Sequence, residues 1–369
     1  MASDSNPLPP ATISTSPPAA FLADLCIFKW SELHFALPLV CASAVALCLF
    51  TGVLTGHPRG GLIAGGGALT IGFGANQRIA DSRLWPMMAA LLAMSTSTLA
   101  GTLAGYSGYA LLLFAAISAL IYGVLTARDD GLSWVGQQAS IALLVASAYP
   151  TGPRMAFIRA GLIIVGGVVQ ILITSAALRL MPELGKNILS IPRHGQELLY
   201  RLRDIRQTLP SLSTEESIGY TIRMVLTMLA ATWAYLHIGV QSGYWIPMTA
   251  IVVQKPTFPE TLSRSTARVA GTLVGAWLCS LLIAHLAPSL IVLAAVTTFF
   301  AFWTFATTSV NYALFSAFIT GYIVFLLSLN QIPGTVIAHR RAWCTIVGGL
   351  IALVLHIDAL RRYRFPTVT

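Results

Sequence analysis

Four basic side chains stand where a charge is costly. Arg159 and Arg341 each lie just inside a long apolar run, Arg268 heads another, and Lys255 follows a short one. A charge within a membrane span is expensive unless it snorkels to the interface or faces water. A guanidinium facing water offers a planar fork for a carboxylate. Interfacial snorkelling for Arg159 and Arg341, and orientation anchoring for Arg268 and Lys255, explain the same positions without a ligand, and both readings stand. Tyr244 and Trp245, beside Pro247 in the short run, are candidates for stacking on an aromatic solute, or they belong to an interfacial belt. The hydroxyl of Thr272 faces a solute or bonds to its own helix backbone. Arg268, Lys255, Arg159, Arg341, Trp245, Tyr244 and Thr272 are thus the candidate substrate-binding residues.

The acids point the same way. All thirteen carboxylates fall in termini, loops or the edges of apolar runs. A buried acidic proton relay is therefore hard to place, and the lack of internal negative charge suits anion passage. His237, His285 and His339 are the remaining titratable candidates near helix ends, with an unperturbed pKa suited to proton exchange. There is no GxxxxGK[ST], no HExxH and no Ser/His/Asp constellation in a membrane-compatible context. Cys26, Cys41, Cys48, Cys279 and Cys344 show no CxxC spacing and read as small apolar packers. No enzyme activity, metal or other cofactor is expected.

These residues need apolar elements to hold them. Of 369 residues 56% are hydrophobic and only 9% charged, with a mean hydropathy of +0.76. Such a chain cannot clothe a soluble surface, and it reverses the signature of disorder. Its long unbroken runs differ from the alternating segments of an outer-membrane barrel. The expected fold is an all-α polytopic membrane protein of about twelve transmembrane helices. The runs lie roughly at 34–53, 60–75, 85–105, 108–126, 132–150 and 156–180, then 218–239, 243–254, 265–286, 289–306, 310–328 and 338–358. Two of them, the glycine-rich 60–75 and the Trp-Pro segment 243–254, are short, and short or interrupted segments in two halves of a chain point to a transport site.

The organisation expected is a disordered or interfacial segment 1–30, a first six-helix repeat 31–180, a connector 181–217, a second repeat 218–358 and a tail 359–369. Ser95–Gly105 and Ser265–Gly275 are identical at seven of eleven positions, and Arg159-Ala160 with Ile164–Gly167 matches Arg341-Ala342 with Ile346–Gly349. Both matches occur in the same order, which favours duplication into two parallel halves. Gly101/Gly105 and Gly271/Gly275 are small-xxx-small pairs suited to close helix approach. The net charge of +9 lies between apolar runs and reads as membrane orientation, with no nucleic-acid partner. Its distribution puts both termini and the connector in the cytoplasm. No basic region precedes a short apolar run at the start, so no cleaved signal peptide is expected.

The block Tyr244–Pro256, with Thr261–Thr272 and Gly275, resembles the fusaric acid resistance family, which includes aromatic carboxylic acid exporters and is related to plant aluminium-activated malate channels. That resemblance implies efflux of small organic acids across a bacterial inner membrane, with the lipid bilayer, an organic anion and a membrane-fusion or homo-oligomeric partner as companions. The first half departs from the block: it has Gly61–Gly74 in place of the Trp-Pro segment, and Thr98 in place of Arg268. A passive organic-anion channel, or a membrane scaffold that binds a partner through the connector, are the alternatives.

Overall fold

The apolar runs fold as helices throughout the part of the chain that the computed structural model describes: residues 23–79, 82–180, 215–285 and 289–356. The connector from 181 to 214 and the tail after 356 lie outside the described residues. The helices are α1 (Ala23–Cys26), α2 (Ala36–Leu54), α3 (Pro58–Phe73), α4 (Leu84–Ala104), α5 (Gly108–Thr126), α6 (Asp130–Ser147), α7 (Pro153–Leu180), α8 (Glu215–Ile238), α9 (Trp245–Val253), α10 (Phe258–His285), α11 (Leu290–Thr307), α12 (Tyr312–Ser328) and α13 (Gly334–Val354).

Local chemistry sets several of their ends. Asp129 caps α6 by accepting from Leu132 N–H at 3.0 Å, and Asn311 caps α12 by accepting from Leu314 N–H at 2.9 Å. Pro58 opens α3 at its first turn. Pro256 closes off α9, because the residue before a proline is driven out of the helical region. The Asn311 amide also donates to the carbonyls of Leu25 and Ile27, and Asp24 N–H donates to Ser263 Oγ at 2.9 Å, which ties the N-terminal segment to α10 and α12.

The expectation of about twelve membrane-crossing helices in two parallel six-helix repeats is corrected by these lengths. Among the described residues, eight helices are long and apolar enough to cross: α2, α4, α5, α7, α8, α10, α11 and α13. With 16, nine and 17 residues respectively, α3, α9 and α12 fall short of a ~30 Å hydrocarbon core at ~1.5 Å per residue. With 18 residues, α6 carries Asp130, Ser133, Gln137, Gln138 and Ser140 and is too polar. Eight spans do not make two sets of six, and the halves interleave: α2 packs on α11, and α8 on α5.

The eight and the four occupy different places. Among the described residues, no large apolar side chain of α3, α6, α9 or α12 is exposed, whereas all eight long helices expose several. The long helices form a lipid-facing rim, and the short or polar ones are enclosed by it. Glycines join the two sets. A methyl added at Gly101 of α4 would collide with the Leu143 carbonyl of α6, at Gly271 of α10 with that of Ala313 in α12, at Gly166 of α7 with that of Ala64 in α3, and at Gly348 of α13 with that of Ile246 in α9. The two internally similar sequence blocks therefore mark rim-to-inner seams. What recurs is this seam, where absent side chains let backbones touch.

Candidate functional site

A cavity of about 560 Å³ lies among the four inner helices. Every one of them lines it: α3 from Leu62 to Phe73, α6 from Trp134 to Ala146, α9 from Trp245 to Val252 and α12 from Tyr312 to Leu327. The lining residues of α12 alone extend over roughly 22 Å at 1.5 Å per residue. The cavity is thus elongated along the helices. Asn76, Gln77, Trp134, Arg264 and Tyr312 lie towards one end, and Arg59, Tyr149, Arg159 and Asn330 towards the other. At the latter end Arg59 Nε donates to Asn330 Oδ1 at 2.8 Å and links α3 to the turn after α12.

Among the described residues no carboxylate lines this cavity, and its polar wall is made of amides, hydroxyls and arginines. Arg268 lines it while only 5% exposed, and its Nε has no hydrogen-bond partner. Arg264 sits one turn earlier on the same face of α10. Its guanidinium carbon lies 3.5 Å from the centre of the Tyr312 ring, a cation–π contact at the cavity wall. Tyr312 and Tyr322 also line the cavity, and their buried hydroxyls have no partner. Together they bring fixed positive charge to the wall of a mostly apolar space. Such a space suits a solute with an anionic head and an apolar body.

The sequence candidates divide. Arg268, Arg159, Tyr244 and Trp245 all line the cavity. Arg159 is half-buried at the end away from Arg268, donating to the Tyr149 carbonyl, with its guanidinium 5.9 Å from the Tyr149 ring. Tyr244 and Trp245 are buried, their rings 5.3 Å apart. Arg341 does not line the cavity. It is buried, its guanidinium carbon 5.5 Å from the centre of the Trp245 ring, and it donates to Thr320 Oγ1 at 3.2 Å. Thr272 is buried off the cavity with an unpartnered hydroxyl, although an oxygen bond to its own helix is the common fate of such residues. Lys255 stays off the lining too. Its N–H donates to Thr261 Oγ1 and its carbonyl accepts from His356 Nε2, both at 2.9 Å. Burial, and then the nearby charge of Arg264, push the Lys255 amine down to about 8.

The sequence candidates did not include Arg264 or the stripe Trp134, Gln137, Gln138, Ile141 and Val145. These recur at helical spacing on one side of α6. Two adjacent amides inside an otherwise apolar run were the available signal. Gln137 Nε2 donates to Tyr122 Oη at 3.1 Å, which fixes its headgroup beside the cavity.

Comparison with known proteins bears on the second half. Residues 227–355 match the family described as fusaric acid resistance protein-like. The uncharacterized protein ORF2 of Neisseria gonorrhoeae is 30% identical over 149 residues, covering 39% of this chain and 34% of that protein. The uncharacterized protein slr1298 of Synechocystis is 31% identical over 151 residues, covering 39% of this chain and 19% of that protein. The chain thus spans about a third and a fifth of the lengths of these relatives. No solved structure matches. The protein is a multi-pass helical membrane protein whose residues 227–355 are similar to the family described as fusaric acid resistance protein-like.

Proposed function

We propose that the chain moves small organic acids, aromatic carboxylates foremost, outward across a bacterial inner membrane through the cavity among α3, α6, α9 and α12. The observation that carries this reading is Arg268: a nearly buried guanidinium on the cavity wall, with an unpartnered Nε and no carboxylate paired to it among the described residues. An anionic solute supplies the missing charge, and Trp245 and Tyr322 offer faces for an aromatic body. The amides of Gln137, Gln138, Asn76 and Gln77 give further donors along the path. Both termini sit in the cytoplasm in this reading, with the 181–217 connector on the same side.

The test is flux of a benzoate-like acid in proteoliposomes. Arg268→Gln keeps much of the length but removes the charge, and flux is expected to fall at least tenfold, on the order of one lost charge-assisted contact, with abundance unchanged. Arg268→Lys should restore part of it, since a point charge replaces a fork. Unchanged rate and apparent affinity in the glutamine protein would end the proposal. A passive channel is the second reading, favoured by a cavity with arginines towards both ends and, among the described residues, no carboxylate in its lining. Flux that follows voltage and ignores an imposed pH gradient would select it.

A further inference from the structure

The cavity carries its charge at two places a helix length apart. Arg264 has its guanidinium carbon 3.5 Å from the centre of the Tyr312 ring, at the first residue of α12. Arg59 donates to Asn330 Oδ1 at 2.8 Å, just past the last residue of that helix. All four residues line the cavity. Helix α12 therefore measures the gap between the two arginines: its 17 residues extend over about 25 Å at ~1.5 Å each.

Each end holds a second arginine of the lining. Three residues beyond Arg268, a Cβ on Gly271 would collide with the carbonyl of Ala313, the second residue of α12, so Arg268 belongs to the Arg264 end. Three residues beyond Arg159, the Leu162 side chain stands 3.9 Å from a Cβ placed on Gly60, the neighbour of Arg59. Between the ends α12 contributes Phe315, Ile319, Ile323 and Leu326, and α9 contributes Met248 and Val252.

The two pairs are also held differently. Arg268 is 5% exposed and Arg264 half-buried, and among the described residues neither guanidinium makes a hydrogen bond. At the other end Arg59 is exposed and Arg159 half-buried, and each already spends a donor, on Asn330 and on the Tyr149 carbonyl. A bond to a carboxylate is stronger where water competes less and no protein acceptor holds the donor. Volume sets the other condition. Cavities of about 300–1,000 Å³ take a drug-sized ligand, so 560 Å³ is more than a single-ring acid fills.

We propose that the cavity holds two organic anions at once, in a tight station at Arg264 and Arg268 and a weak one at Arg59 and Arg159. Two stations presuppose the transport reading and add how many solutes the path carries and in what order it grips them. A single-ring acid is far too short to bridge the gap, so its carboxylate is released by one pair before the other takes it, and its ring crosses the apolar stretch. Two carboxylates that far apart repel weakly, since Coulomb energy falls with separation. With the termini cytoplasmic, capture is tight on the inner side and release is easy on the outer.

The experiment is equilibrium dialysis of radiolabelled benzoate against the purified full chain in nanodiscs, with empty nanodiscs as the blank. Wild type is expected to bind two molecules per chain, with dissociation constants roughly tenfold or more apart. Arg268→Gln should remove the tight class and keep the weak one. Arg159→Gln should do the reverse, and the class retained in each variant shows that the chain is folded. One molecule per chain overturns the two stations and leaves transport standing, whereas no saturable binding overturns both. Loss of both classes together in one folded variant also refutes the stations, because they then form one site. Should either variant fail to fold, wild-type crystals soaked in saturating 4-iodobenzoate decide by anomalous diffraction. Iodine peaks near both ends of α12 support the proposal, and a peak at one end alone, or none, overturns it.

Discussion

Helices α7 and α3 lie side by side and obey opposite rules. The first has 28 residues and offers Phe157, Val165 and Leu172 to lipid; the second has 16, six of them glycine, and exposes no large apolar side chain. Glycines lower intrinsic helix propensity by ~1 kcal/mol each relative to alanine, so α3 owes its helicity to the neighbours that enclose it. The difference teaches that hydrophobicity in this chain records contact with lipid, not depth in the membrane. Helices at the rim must be long and greasy. Helices inside are released from that demand, and there glutamine, threonine and arginine can line a cavity.

The largest expected effect breaks the seam between these two helices. A methyl at Gly166 already meets Ala64 backbone, whereas Gly161, five residues earlier on α7, has open space around a Cβ. Overpacking costs about 1–3 kcal/mol where side chains can yield, and more is expected where backbone must move. Gly166→Leu should therefore lose the folded protein or much of its thermal midpoint in nanodiscs. Gly161→Leu should stay within about 0.5 kcal/mol of wild type. Equal tolerance of both would remove the seam as a structural element.

A matched pair of acidic substitutions sharpens the distinction between rim and interior. Leu172 is 63% exposed on α7, while Gln138 lines the cavity from α6. Leu172→Glu puts a carboxylate against lipid, an insertion cost on the order of 2–3 kcal/mol, and should reduce the amount of membrane-integrated protein. Gln138→Glu is isosteric and should leave that amount unchanged, but a negative charge on an anion path should cut flux several-fold. The reverse pattern, with integration lost at 138 and flux lost at 172, would invert the assignment of the two helices.

A smaller effect belongs to the Arg264–Tyr312 contact. Replacing the ring by Tyr312→Leu removes a cation–π interaction worth about 0.5–2 kcal/mol and frees the guanidinium at one end of the cavity. Apparent affinity for a benzoate-like acid should change by a few-fold, with Tyr312→Phe close to wild type. A phenylalanine protein as impaired as the leucine one would shift the role to the tyrosine hydroxyl.

The rim was legible in the sequence because lipid contact writes itself as long apolar runs. The inner helices were legible as helices but misread as spans, since 16 or 17 apolar residues look much alike whether lipid or protein surrounds them. Their short length and their glycine or proline content carried the correct hint, and both short segments singled out, 60–75 and 243–254, contribute to the cavity. Arg268 was legible from a repeat that places Thr98 at the matching position. Arg264 was not, because a charge at a helix start has an ordinary explanation in membrane orientation. Nor could spacing alone separate Arg268, which lines the cavity, from Arg341, which does not: that split depends on how each side chain packs in the folded chain.

The least effect is expected at Lys255, which tests how far the cavity's field extends beyond its lining. Burial, helped by Arg264, brings its amine from 10.5 down to about 8. The lysine is mostly charged at pH 7 and mostly neutral at pH 9. Between pH 8 and 10.5 the unfolded chain holds a proton that the folded chain has released, so this group's contribution to stability rises with pH over that window. Its contribution to anion collection runs the other way and fades as pH climbs through 8. Raising the pH from 7 to 9 should therefore lower uptake of a fully ionised carboxylate by less than a few-fold in the wild type. Lys255→Arg keeps its charge and should flatten that decline, while Lys255→Met should start at the lower plateau and stay there. If all three profiles coincide, the amine acts on neither the solute nor its path, and the anion selectivity rests on the residues that line the cavity.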